Sequence, residues 1–294
     1  MEIPVWPAVR PIDISDKPYL DSLFEQLQPR VSELSFAGLY LFRIAHEYCL
    51  SIIGDAVVIL AKGYDGLRYG LPPLGGDTSG ACRLLLGSGL ELYGIEGACA
   101  TQFLNDLEYE IFEDRDSFDY LYLREELATL PGNRFHKKKN RINYFTARHT
   151  YEVQVLSGDH VCGCLQLLDE WGRFAEVTGN RSFSMEMDAT AEALLLANAL
   201  GLEGVVVIVE GRVRAFALGE RLNRETVVCH FEKADYFMEG LSQLVNREFA
   251  RLLFDDCRYS NREQDLGEPG LRSAKLSYHP VELVKKIRVR QKIK

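Results

Sequence analysis

The spacing of apolar positions changes period several times along the chain, and each change marks an element. Leu20, Leu23, Phe24 and Leu27 recur at helical spacing behind an acidic start at Asp16, which predicts a first helix. The stretch from Phe36 to Ile44 predicts a second. The period then shortens. Tyr48–Ile53 and Ala56–Ala61 are β-rich runs joined at Gly54-Asp55, the signature of a hairpin. Gly66 to Gly76 holds a third short strand and a Pro-Pro/Gly-Gly loop. From Asp77 to Leu130 helices and strands alternate, with Phe118-Asp-Tyr-Leu-Tyr-Leu as one strand.

The second half repeats that order. An Ala-rich helix over Met187–Leu200 stops at Gly201, a natural helix end. The runs Val205–Val209 and Arg212–Leu218 flank a turn at Glu210-Gly211, and Thr226–Phe231 gives a third strand. A helix follows from Met238 to Phe254, with Met238, Leu241, Val245, Phe249 and Leu252 on one apolar face that reads as core. Cys257–Asn261 is the next strand, Pro269–Leu276 a short helix with Pro in its first turn, and Val281–Val289 a last strand. Two passes through the same order predict an α/β fold in α+β layers, built from two similar domains over 1–150 and 151–294.

Composition narrows the function classes. Of 294 residues 47% are apolar and 26% charged, an ordinary globular balance that excludes disorder or coiled coil for the bulk. The formal charge is −9, so the molecule as a whole is not drawn to polyanions. No apolar run is long enough to span a membrane, and the start MEIPVWPAVRPID lacks the plan of a secretory signal; the expected location is cytoplasmic. Seven cysteines (49, 82, 99, 162, 164, 229 and 257) are scattered, with Cys162-Gly-Cys164 the only close pair, and read as reduced thiols. Six histidines form no HxxxH or HExxH spacing, so no metal site is expected.

Three stretches are more specific than periodicity. They are Ser35-Phe-Ala-Gly-Leu-Tyr-Leu-Phe-Arg43; Asp119 to Tyr122 with Glu126 to Phe145; and His230-Phe-Glu-Lys-Ala-Asp235 with Asn261 to Pro280, which contains NREQDLGEPGLRSAKLSYHP. Together they resemble the soluble family related to the C-terminal domain of phosphatidylglycerol lysyltransferase, from about Ser32 to the end of the chain. The resemblance implies two tandem GNAT-like (acyl-CoA N-acyltransferase) domains, each a mixed, largely antiparallel sheet flanked by helices. It implies transfer of an aminoacyl or acyl group to an amine or hydroxyl, with aminoacyl-tRNA or acyl-CoA as donor. One departure is local. Where an acyl-CoA-binding GNAT domain carries a glycine-rich diphosphate loop, this chain has Lys233-Ala-Asp-Tyr-Phe-Met-Glu-Gly240, with one glycine and two carboxylates, Asp235 and Glu239.

Acyl transfer needs a deprotonated nucleophile and a polarised carbonyl. On the strand run Val227–Glu232, alternation places His230 and Glu232 on one face, a carboxylate and an imidazole suited to general-base work. Equally, Glu232 is expected to pair with Lys233, Arg262 or Arg272 in a structural ion pair. Asn261, Arg262, Glu263 and Asp265 follow the next strand and read as a site wall; Arg262, Arg272 and Lys275 are candidates to hold phosphate or carboxylate, or else to staple the domains through Glu263 and Asp265. Tyr278 is a candidate general acid or a buried, satisfied tyrosine. Arg134 to Arg141 packs five basic residues into eight, so Lys139, Asn140, Arg141 and the nearby Asn143 are candidates to meet a tRNA acceptor end, CoA phosphates or a lipid head group, unless the run is a solvated helix face. The basic tail from Lys285 to Lys294 reads as a final strand with a frayed end. Against the transferase stand two alternatives: an acetyl-CoA-dependent N-acetyltransferase, and a non-catalytic member that only binds a ligand.

Overall fold

The computed structural model describes residues 2–96, 108–176 and 181–292. Cys99 lies outside them, as do the last two residues of the basic tail. Fourteen strands are described: β1 Arg10–Pro11, β2 Cys49–Ile53, β3 Ala56–Lys62, β4 Arg68–Gly70, β5 Glu91–Glu96, β6 Tyr109–Glu113, β7 Asp119–Leu123, β8 Tyr151–Val155, β9 Glu203–Val209, β10 Arg212–Asn223, β11 Thr226–Ala234, β12 Tyr259–Asn261, β13 Glu282–Val284 and β14 Lys286–Gln291. They form two mixed, largely antiparallel sheets of seven, ordered β1-β2-β3-β4-β5-β14-β6 and β13-β7-β12-β11-β10-β9-β8. Helices flank both, which is the tandem GNAT-like architecture expected. Among the described residues no helix is long and apolar enough to cross a membrane.

By internal packing the chain groups into two compact units. One holds residues 1–119, 264–272 and 283–294; the other holds 120–263 and 273–282. Residues 120–150 therefore group with the second half of the chain, and two C-terminal stretches group with the first.

The hairpins form where the turns were expected. Gly54 (φ 63°) links β2 to β3, and Glu210 (φ 50°) with Gly211 (φ 73°) links β9 to β10; paired positive φ values match the right-handed twist of a hairpin. The Pro269–Leu276 helix also appears with the expected bounds.

Three expectations are corrected. The helical stretch over 187–200 is two helices, Arg181–Leu195 and Ala197–Leu200, with the second closed by Gly201 in the left-handed region. Leu252 is exposed, because the Leu241–Leu252 helix buries Leu241, Leu244, Val245 and Phe249 and the apolar stripe turns away before its last residue. The final run is not one strand: it breaks after Val284, and β13 and β14 enter different sheets.

In the first unit β14 lies between β5 and β6, antiparallel to both. Its Lys286 is fully buried and donates to Asp119 Oδ1 (2.6 Å) and Glu33 Oε1 (2.7 Å), while Asp119 also accepts from the Ser32 amide (2.7 Å) and hydroxyl (2.9 Å). Burying a lone ammonium would cost several kcal/mol, so the two carboxylates are what let this strand sit inside the sheet.

In the second unit β11 and β12 run parallel over only three pairs, Thr226 with Tyr259 through Val228 with Asn261. Beyond Val228 β11 continues to Ala234 without that neighbour. The sheet thus opens along the half of β11 that carries His230 and Glu232.

Candidate functional site

Beyond the open edge of β11 lies a cavity of about 370 Å³ in the second unit. It is lined by Glu232 from β11, by Arg141 and Trp171, by Ala234, Asp235, Tyr236, Met238, Glu239 and Gly240, and by Ser242 and Gln243 in the first turn of the Leu241–Leu252 helix. Gly240 has φ 94°, and a Cβ there would fall 2.0 Å from the Arg141 carbonyl oxygen. Only glycine permits this close approach, which brings the His136–Thr146 helix against the start of the next one.

Glu232 is anchored by one oxygen. Its Oε2 accepts from Arg262 (2.8 Å) and from Asn246 Nδ2 (3.0 Å), whereas Oε1 takes no hydrogen bond among the described residues. The carboxylate is held in place with one oxygen available, which is what a proton acceptor on a cavity wall requires. Asn246 is buried, and its Oδ1 has no partner among the described residues. Such an orphan costs about 1–3 kcal/mol, and here it stands beside the cavity carboxylate.

His230 has a different environment. Its ring is buried, Nδ1 lies 2.8 Å from Glu263 Oε1, and Nε2 lies 3.0 Å from Glu220 Oε1. Burial opposes the charged form, but the hydrogen bonds and charges of Glu220 and Glu263 outweigh it and push the imidazole up to about 10. An imidazolium at neutral pH has no lone pair to offer, and in that state His230 braces two carboxylates.

Arg262 is half-buried; desolvation disfavours its charge, and Glu232 restores it. Asn261 is buried, with Oδ1 accepting the Glu263 amide (2.7 Å) and so holding Glu263 in a left-handed turn (φ 56°) that aims its carboxylate at His230. Lys275 donates to the carbonyls of Arg262 and Glu263, tying the same turn from below. Tyr278 is buried, its ring 3.9 Å from Lys138 Nζ and 5.3 Å from the Arg262 guanidinium; burial raises its hydroxyl further, so it keeps its proton at neutral pH.

The remaining expected site residues fall elsewhere. Asp265 and Arg272 belong to the first unit and satisfy each other there, through Nε (2.9 Å) and a second nitrogen (2.8 Å), with Asp116 and Arg115 completing the cluster. Along the basic helix Lys139 donates to the Gly132 carbonyl (3.1 Å), Asn140 meets His136 (2.9 Å), and Asn143 is exposed. Of that group only Arg141 reaches the cavity wall.

Sequence reasoning reached Lys138 only as part of the Arg134–Arg141 run, and missed Asn246 and Trp171. For Lys138 the signal was its spacing to Arg141, three apart and so on one helix face. For Asn246 it was a polar residue in a helix turn otherwise filled by Leu244, Val245 and Phe249.

Comparison with known proteins gives this geometry a context. The family model described as "Phosphatidylglycerol lysyltransferase, C-terminal" matches residues 24–290. A conserved protein of unknown function from Bacteroides thetaiotaomicron is 32% identical, with 97% of this chain and 99% of that one covered and a TM-score of 0.88. L-PGS from Bacillus licheniformis is 16% identical over 100% of this chain and 95% of its own, with a TM-score of 0.62. FemX is 10% identical, covering 96% of each chain, with a TM-score of 0.57. The last two share the fold. No curated protein matches the sequence. A family model spanning that much of the chain, with a full-length relative at that identity, places the protein: it belongs to the phosphatidylglycerol lysyltransferase C-terminal family.

Proposed function

We propose that the chain is an aminoacyl or acyl transferase that works at the cavity beside Glu232, taking its acyl group from an aminoacyl-tRNA in the cytoplasm and delivering it to an amine or hydroxyl on a small molecule or lipid head group. The observation that carries this reading is Glu232, fixed through Oε2 by Arg262 and Asn246 with Oε1 unbonded among the described residues, on the wall of a cavity in a splayed sheet. The family's lysyltransferase name supports the reaction class.

The chemistry balances with these residues. The acceptor nitrogen or oxygen forms a bond to the ester carbonyl carbon while Glu232 takes its proton. The carbonyl oxygen gathers negative charge next to the Arg141 guanidinium and the backbone amides opening the Leu241–Leu252 helix. The ester C–O bond then breaks, and the proton held by Glu232 passes to the departing ribose hydroxyl. A coenzyme A diphosphate fits this wall less well, because Asp235 and Glu239 line it and Gly240 is the only glycine in the segment.

The test is incubation with a panel of charged tRNAs and an acceptor panel of small amines and phosphatidylglycerol vesicles. Protein-dependent transfer of the labelled amino acid from at least one tRNA is expected. If no charged tRNA in the panel is deacylated faster with protein than without, the reading fails.

A further inference from the structure

The middle of the Leu241–Leu252 helix breaks a local rule. Leu241, Leu244, Val245 and Phe249 are buried, and Asn246 is buried with them at 4% exposure. Asparagine is a weak helix former, because its amide competes for backbone hydrogen bonds. Buried polar groups are normally paired in full, yet Asn246 Oδ1 has no partner among the described residues. An apolar helix former at this position would avoid both penalties.

The Asn246 side chain does make one hydrogen bond, from Nδ2 to Glu232 Oε2 (3.0 Å). The same oxygen accepts from one nitrogen of Arg262 (2.8 Å), and Oε1 is left without a hydrogen bond among the described residues. A guanidinium is a planar fork whose parallel N–H groups match both oxygens of a carboxylate, so an arginine beside a carboxylate tends to close a two-bond pair. Here it closes one. A two-bond pair would draw Oε1 onto the guanidinium and take its lone pair out of use. Turning the carboxylate that way would also pull Oε2 off Nδ2 and leave a second buried group of Asn246 unpaired, which is costly. The amide is therefore a stop on the rotation of the carboxylate.

We propose that Asn246 is a positioning residue for transfer, holding Glu232 by Oε2 so that the pair with Arg262 stays single and Oε1 remains open to the acceptor's proton. Asn246 itself is outside the cavity lining and acts through Glu232. This role rests on the transferase reading for the reaction that Oε1 serves, whereas the one-oxygen geometry is readable without any activity. A residue unfavourable to its own helix, kept beside a working group, is the pattern expected where function and local stability conflict.

The experiment compares the full wild-type chain with Asn246→Ala and Asn246→Leu, which remove the amide with and without loss of volume, so that a packing fault in one leaves the other to be read. Arg262→Lys is then added to each, because a lysine ammonium is a point charge that cannot fork. Crystal structures are determined, and steady-state transfer from the charged-tRNA panel to phosphatidylglycerol vesicles is measured on protein with a cooperative denaturant transition. Both single variants are expected to show the two Glu232 oxygens on Arg262, and to lose about 10²-fold in kcat with KM for the charged tRNA unchanged. Adding Arg262→Lys is expected to return part of that rate. An asparagine that served only the fold would shift the denaturant midpoint and leave the kcat of folded protein as it was, and that result overturns the proposal. So does a variant structure in which Arg262 still meets one oxygen, or an Arg262→Lys double variant no faster than its parent. If the wild-type chain transfers from no charged tRNA, the transferase reading fails, while two-oxygen pairing in the variant structures still upholds the stop. Wild-type transfer with kcat unchanged in both single variants keeps the transferase reading and removes this one.

Discussion

Glu232 and His230 stand two positions apart on β11, and their surroundings divide the work between them. Glu232 meets a cation and an amide on one oxygen only; His230 meets carboxylates on both nitrogens. The His230 pKa is raised in the folded chain, so its contribution to stability is complete below the unfolded value near 6.5 and is lost as pH climbs toward about 10. Melting temperature should fall over that window in the wild type, and His230→Gln should flatten the fall while lowering stability at pH 6; a wild-type curve level across the window would contradict the bracing role. Gly240 makes a second residue-scale prediction. Gly240→Ala must move the Arg141 backbone and accept an unfavourable φ, so a loss of about 2–4 kcal/mol is expected from chemical denaturation. Both residues on β11 were legible in the sequence as an imidazole and a carboxylate two positions apart, but the register shift opposite His230 was not. Lys138 was not, because a basic run on a helix looks the same whether water or a cavity receives it.

At the scale of elements, the hairpins and the Pro269–Leu276 helix were legible for a local reason: their turns and caps are written in adjacent residues such as Gly54, Gly211 and Pro269. The fate of the C-terminal run was not local. Apolar alternation from Val281 to Val289 reports which side chains are inward but carries no record of which sheet receives them. The deciding residue is Lys286, whose ammonium needs the Asp119 and Glu33 carboxylates. Lys286→Met should therefore take the ammonium partner away from the buried Asp119 carboxylate and cost about 3–5 kcal/mol, read from denaturant midpoints. Pairing it with Asp119→Leu should recover part of that loss, whereas a strictly additive double mutant would show that the pair is not coupled.

At the scale of the molecule, sequence repetition gave two GNAT-like copies, and the structure shows two such sheets whose membership does not follow chain order. The first unit includes β14 from the end of the chain, and the second includes most of β7 from its middle. Separate fragments covering 1–150 and 151–294 each lack strands that their sheets require. Neither should show a cooperative melt alone, and mixing or co-expressing them should restore one; independent melting of either fragment would contradict this account of the units.

The claim on which the functional account turns is that Glu232 takes the acceptor's proton at the second-unit cavity. Its most direct measurement is single-turnover transfer from a pre-bound aminoacyl-tRNA, comparing wild type with Glu232→Gln, which keeps the side chain's shape, and with Glu186→Gln on the Arg181–Leu195 helix, a control for loss of a carboxylate that pairs with Lys233 of the same strand (2.6 Å). The account predicts a rate lower by about 10²–10⁴ for Glu232→Gln with donor affinity retained, and a near-wild-type rate for the control. A Glu232→Gln protein that transfers at the wild-type rate would contradict it.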